Sequence, residues 1–111
     1  MDIFVDIDNT ITITKGSIID PLDYSKAKPL KERIDRINNL YNQGHKITYW
    51  TARGTKTKID WTELTKKQLK EWGAKYHYLR MGKPAFDLFI DDRAFNSEYY
   101  FNEKNDKKII F

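Results

Sequence analysis

Two aspartates, two residues apart, close an apolar run near the start of the chain. In MDIFVDIDNTIT, Ile3, Phe4 and Val5 lead into Asp6, Ile7 and Asp8. A carboxylate at the end of a buried strand is costly unless it is paired, protonated or bound to a cation. The same pattern recurs downstream. KITYW, residues 46–50, leads into Thr51 and Arg53, and DLFI, residues 87–90, leads into Asp91 and Asp92. Four carboxylates gathered in one place repel one another unless a hard cation neutralises them. Oxygen donors without His or Cys suit Mg²⁺, which leans on one or two carboxylates plus a phosphate. That leaves one aspartate free to attack phosphorus and carry a phosphoryl group, while the cation and fixed donors stabilise the transferring oxygens. Thr51 offers a hydroxyl, and Lys83 in MGKPAFD offers an ammonium if its loop returns over the site.

The elements that must position these residues can be read from the periodicity. Ile3–Ile7 reads as a strand with Ile3, Val5 and Ile7 on one face and Phe4 and Asp6 on the other. Residues 11–28 have no helical period and carry Gly16 and Asp20-Pro21, so they read as a loop or flap. A helix is predicted from Pro29, with Leu30, Ile34, Ile37, Leu40 and Tyr41 as its apolar stripe and Gly44 as its stop. The strand 46–50 follows. Asp60 to Glu63 resembles a capping box opening a helix that runs to Gly73. A short strand at Lys75–Leu79, a fourth at 87–90, a short helix in SEYYF and an edge strand in KIIF complete the prediction. Helices alternating with strands imply a mostly parallel sheet, with ligands bound beyond the carboxyl ends of the strands. The predicted class is a single-domain (1–111), three-layer α/β/α Rossmann-like fold, and three of its strand ends carry the acids and the hydroxyl.

At 111 residues the chain favours one core. With no cysteine it has no disulfide framework and no thiolate metal site. It shows no signal-peptide pattern and no apolar run long enough for a membrane span, so a cytoplasmic protein without membrane contact is expected. The net charge of +4 is assigned to solvated helix faces rather than to nucleic acid. His45 and His77 have no partners at a metal-ligand spacing, and Trp50, Trp61 and Trp72 read as packing residues. The flap residues Lys15, Tyr24, Lys26 and Lys28 are assigned to solvent rather than substrate.

The motifs together resemble those of the haloacid dehalogenase-like (HAD) phosphatases. DIDNT resembles their first motif, DxDx[T/V]. ITYWTARG is similar to the second, GKP to the lysine-bearing third, and DLFIDDR to the acid pair of the fourth, all in family order from Asp6 to Asp92. The wording of YSKAKP, GHKITYWTARG and DWTELTKKQLKEWG is similar to a small subgroup found in capsule or surface-polysaccharide gene sets. The resemblance implies Asp6 as nucleophile and Mg²⁺ ligand. It implies Asp8 as general acid and then base, holding Mg²⁺ through its carbonyl. Thr51 and Lys83 would hold the phosphoryl oxygens, and Asp91, supported by Asp92, the metal. Thr10 would lock the turn after the first motif. Arg53 either reads a charge on the substrate or pairs with an acid near its loop. Family members usually carry a cap domain; here only residues 11–28 and the loop 53–60 could do its job, so the site either admits a large substrate or is closed by the flap or a neighbouring subunit, and a homo-oligomer is expected. The activity implied is hydrolysis of a small sugar or polyol phosphate. A nucleotide or nucleic-acid-end phosphatase, or a silent phosphate-binding protein, would share these motifs.

Overall fold

A computed structural model of the chain describes residues 1–14 and 23–102. Its centre is a parallel three-stranded sheet in the order β1 (Asp2–Val5), β4 (Lys46–Trp50), β5 (Tyr78–Arg80). Asp2 pairs with Lys46 and Val5 with Tyr49 on one side of β4, and Thr48 pairs with Tyr78 on the other. β4 therefore lies between two strands, and Ile47, Thr48 and Tyr49 are buried in succession, as a central parallel strand requires.

Helix α1 (Lys31–Asn42) buries Ile34, Ile37 and Leu40, three of the five stripe residues expected. It begins after Pro29 because Pro29 is taken up elsewhere: Lys28–Pro29 (β3) pairs antiparallel with Thr12–Ile13 (β2). That ribbon ties down the base of the segment read as a flap, whose residues 15–22 lie outside the described ones. Ile11, Thr12 and Thr14 are buried at this end of the ribbon.

Helix α2 (Thr62–Glu71) is preceded by Asp60, whose Oδ1 accepts from the Thr62 N–H at 2.9 Å; the Thr62 hydroxyl and this N–H together hold the Asp60 carboxyl below its ordinary value. The expected capping box does not form: the N-cap residue is Trp61, whose side chain makes no capping bond, and Glu63 pairs with Lys66 instead. Both long helices stop alike. Gly44 (φ +96°) and Gly73 (φ +71°) sit in the left-handed region. His45 and Ala74 bond back five residues, to Leu40 and Leu69, while each glycine bonds back three. This is the Schellman arrangement glycine permits.

The strand order advances in one direction, so right-handed crossovers place α1 and α2 on one face of the sheet. Asn38 of α1 agrees with this, donating to the Gly73 carbonyl and accepting from the Lys75 N–H, both at 2.8 Å. The short helix α3 (Ser97–Tyr100) and Phe101 lie against α1, with the Arg33 and Arg36 guanidinium groups over Phe101 and Tyr100. One cluster joins Val5, Ile7, Ile11, Ile34, Ile37, Leu40, Ile47, Tyr49 and Leu69. On the opposite face Asp2, Phe4, Lys46, Thr48, Tyr78 and Arg80 line an open depression. The described residues thus form an α/β fold built on a parallel three-stranded sheet.

The predicted fourth strand is corrected. Residues 87–90 form no strand, and Leu88 and Ile90 are 75% and 88% exposed. The rings of Phe86 and Phe89 meet at 5.1 Å, a contact unavailable to an extended strand, where residues three apart point to opposite faces. The Asp91 side chain then accepts from the Arg93 N–H at 2.7 Å, turning the chain. The edge strand expected in KIIF lies outside the described residues.

One core residue is imperfectly satisfied. The Tyr49 hydroxyl is buried and finds no hydrogen-bond partner among the described residues, and burial pushes its ionisation well above the ordinary range for tyrosine. An orphaned buried hydroxyl costs about 1–3 kcal/mol. Tyr49→Phe keeps the ring and its edge contact with Tyr76. It is expected to stabilise the protein by about 1 kcal/mol, read as a higher urea midpoint at unchanged m-value.

Candidate active site

The carboxyl ends of β1 and β4 bring the first two motifs together. After Val5 the chain passes Asp6 and Ile7 and folds into a tight turn in which Thr10 and Ile11 both donate to the Ile7 carbonyl. Asn9 occupies the left-handed region (φ +59°), which a short polar side chain tolerates. Its Oδ1 accepts from the Thr14 N–H at 3.0 Å, clamping the turn onto β2. The Thr10 hydroxyl donates to Asp6 Oδ2 at 3.0 Å, the turn-locking role the sequence suggested.

Lys83 comes back over this turn. Its Nζ lies 3.3 Å from Asp6 Oδ1. The Lys83 N–H donates to the Thr51 carbonyl at 3.0 Å, and its own carbonyl accepts from the Thr55 hydroxyl at 2.8 Å. The ammonium also lies over the Phe86 ring at 5.3 Å. A stretch without regular structure is thereby fastened at both backbone polar groups, and its cation is aimed at Asp6. Asp6 itself stays open: its side chain is 32% exposed and each oxygen has one donor.

Asp8 is held more completely. Its Oδ1 accepts from the Thr14 hydroxyl at 2.7 Å and from Arg53 Nη2 at 2.9 Å, and its Oδ2 from Arg53 Nε at 2.9 Å. Arg53 is 2% exposed, and its Nη1 donates to Thr65 Oγ1 and Gln68 Oε1 on α2. Of the two roles open to Arg53 in the sequence, the geometry gives it the pairing with an acid. Tyr24 lies across the guanidinium at 4.8 Å, and burial, with the nearby Asp8 charge, raises its hydroxyl above the ordinary tyrosine value. Thr51, 1% exposed, accepts from the Arg53 N–H at 3.2 Å, which leaves its hydroxyl proton for another acceptor.

Beside these groups the loop 53–62 and Met81–Gly82 enclose a cleft of about 350 Å³ that includes Ile59, Trp61 and Lys58. Gly54 makes the loop possible, since a Cβ there would lie 2.1 Å from the Ile59 carbonyl oxygen.

Asp6, Asp8, Thr51, Arg53 and Lys83 are therefore neighbours at one end of the sheet. Asp91 and Asp92 are not brought to them. Both are exposed, Asp92 lies 3.8 Å from Arg93, and no group of three or more acidic or imidazole side chains suited to a metal occurs among the described residues. The predicted gathering of four carboxylates is reduced to two, because the strand that was to deliver the second pair does not form. Thr14, Tyr24, Thr65 and Gln68 were missed. Their polarity was visible, but their partner is an arginine distant in sequence, and no spacing rule connects them.

The fold and this end of the sheet define an α/β protein whose strand termini present two carboxylates, a lysine and a buried threonine. A crystal structure of a structural-genomics target from Vibrio cholerae is similar to it, with a TM-score of 0.78 at 24% identity over 94% of this chain and 91% of that one. That likeness is one of fold. No protein-family model and no curated protein matches the chain.

Proposed function

We propose that the protein is a HAD-like, Mg²⁺-dependent phosphomonoester hydrolase that works through an aspartyl-phosphate on Asp6, with small sugar or polyol phosphates as substrates. The observation that carries the reading is the approach of Lys83 Nζ to Asp6 at 3.3 Å from a loop bonded to Thr51. A surface ion pair needs no such fastening, whereas an attacking carboxylate beside an incoming phosphate dianion needs a fixed cation and donors. The substrate class rests on the sequence resemblance alone.

In this reading an Asp6 oxygen attacks phosphorus and the bond to the leaving oxygen breaks, with Asp8 supplying that oxygen's proton. Asp8 then takes a proton from water as the water attacks phosphorus, which frees Asp6 and releases inorganic phosphate. Lys83 and Thr51 hold the phosphoryl oxygens throughout. Asp6, open and with one donor on each oxygen, and the backbone carbonyl of Asp8 would hold a hard cation that keeps most of its own waters. Bound there, Mg²⁺ supplies neutralisation of the phosphoryl charge; Asp91 and Asp92 are not assigned to it.

The test is phosphate release from sugar, polyol and nucleotide phosphates, with Mg²⁺ and with excess chelator. Release that requires Mg²⁺ and is fastest on a sugar or polyol phosphate is expected. Fastest release from nucleotides would replace the substrate assignment, and absence of release from every ester would overturn the enzymatic one.

A further inference from the structure

We infer that Arg53 is a positioning residue that aims Asp8 and Thr51 at the phosphoryl group, and that α2 and Tyr24 hold it for that task. This inference rests on the phosphatase reading. Four of the five N–H groups of the guanidinium are engaged by buried or half-buried partners: Nε and one Nη2 proton by Asp8, both Nη1 protons by Thr65 and Gln68. No edge of it is left to grip a substrate phosphate in the two-pronged manner arginine favours. Its backbone N–H meanwhile bonds the Thr51 hydroxyl, so one residue orients two of the groups assigned to catalysis.

The anchors are themselves oriented. The Thr65 hydroxyl donates to the Trp61 carbonyl at 2.8 Å and therefore turns its lone pairs to Arg53. Gln68 Nε2 donates to the Tyr24 carbonyl at 2.6 Å, which fixes its Oε1 toward Arg53. Tyr24 covers the guanidinium face and touches Trp61 edge-on at 5.2 Å. Stability alone does not account for such a cluster, because replacing a buried ion pair with apolar side chains is often neutral or stabilising. Geometry does. A fork held at three corners sets the plane of the Asp8 carboxylate, and a proton donor must meet the leaving oxygen within hydrogen-bond reach.

A group that aims the proton donor matters most when the leaving oxygen needs a proton. An alkoxide does; p-nitrophenolate leaves without one. Release of the leaving alcohol or phenol in a single turnover, ahead of the water step that both esters share, is therefore compared for an alkyl phosphate and p-nitrophenyl phosphate with the native protein, Arg53→Ala, Arg53→Lys and Gln68→Leu, with thermal melting of each. For Arg53→Ala a fall of about 100-fold in that rate is expected on the alkyl ester and under about tenfold on the nitrophenyl ester. Free guanidinium at millimolar concentration is expected to restore part of the loss. Arg53→Lys, which keeps the charge without the fork, should lose nearly as much on the alkyl ester. Gln68→Leu should show the same ordering at smaller size, and it carries the comparison if Arg53→Ala does not fold. Equal losses on both esters, or a loss confined to KM, would overturn the positioning role. A native protein that hydrolyses neither ester overturns the phosphatase reading instead, and the role of Arg53 with it.

Discussion

Asp6→Asn is expected to lower phosphate release by about a thousandfold or more while leaving the protein folded. The carboxamide has the size and shape of the carboxylate, so the Thr10 hydroxyl can still donate to its oxygen. On the proposed mechanism, what disappears is the negative oxygen that attacks phosphorus, and no amount of correct positioning replaces it. The fold should tolerate the change because Asp6 lies at the open end of the sheet, outside the apolar cluster. Asp6 keeps 32% of its side chain exposed, so the pair with Lys83 is partly screened and its loss costs about 1 kcal/mol. With one negative charge removed beside the ammonium, inorganic phosphate should bind the variant at least as tightly as the native protein. Calorimetry with phosphate, run beside the release assay, therefore separates a missing nucleophile from a damaged site. Retained release in a folded Asp6→Asn protein would move the nucleophile to another group, and Asp8 would be the first to test.

The parts of this site that could be read in advance are those whose chemistry is local. Asp6 and Asp8 announce themselves because acids at the end of an apolar run contradict burial, and α1 and β4 follow from helical spacing and β propensity around them. The glycine stops at 44 and 73 were legible for the same reason: a left-handed residue after a helix is a local demand. The errors arise where a segment must choose between partners. DLFI has the composition of a buried strand, yet Phe86 and Phe89 pair with each other and Asp91 turns the backbone, so a local alternative wins. The ribbon of Thr12–Ile13 with Lys28–Pro29 hides for the opposite reason, each half being too short to signal its distant mate. Arg53 shows the limit most clearly. Its type and position were evident, but whether its fork meets a substrate or Asp8 depends on Thr65 and Gln68, which come from another element.

Lys83→Met should lower kcat by about 100- to 1000-fold, the usual consequence of removing one fixed donor from a site where charge develops. Methionine keeps the length and apolar stem that lie near Phe86 and Trp50 and loses only the ammonium. The backbone bonds to Thr51 and Thr55 do not involve the side chain, so the loop should keep its path. Two effects then decide the kinetic signature. The ammonium lies against Asp6 in the free protein, which eases the approach of a phosphate dianion to a carboxylate, and its loss should raise KM. In the transition state the equatorial oxygens bear the charge the ammonium would meet, so the larger share of the loss should fall on kcat. A fall in kcat with a smaller rise in KM, measured at saturating Mg²⁺, is the expected result. A rise in KM with kcat unchanged would show that Lys83 attracts anions without acting on the reacting phosphoryl group. The pairing with Asp6 would then be an anion-binding device, and the nucleophile would have to be stabilised by Thr51 and the cation alone.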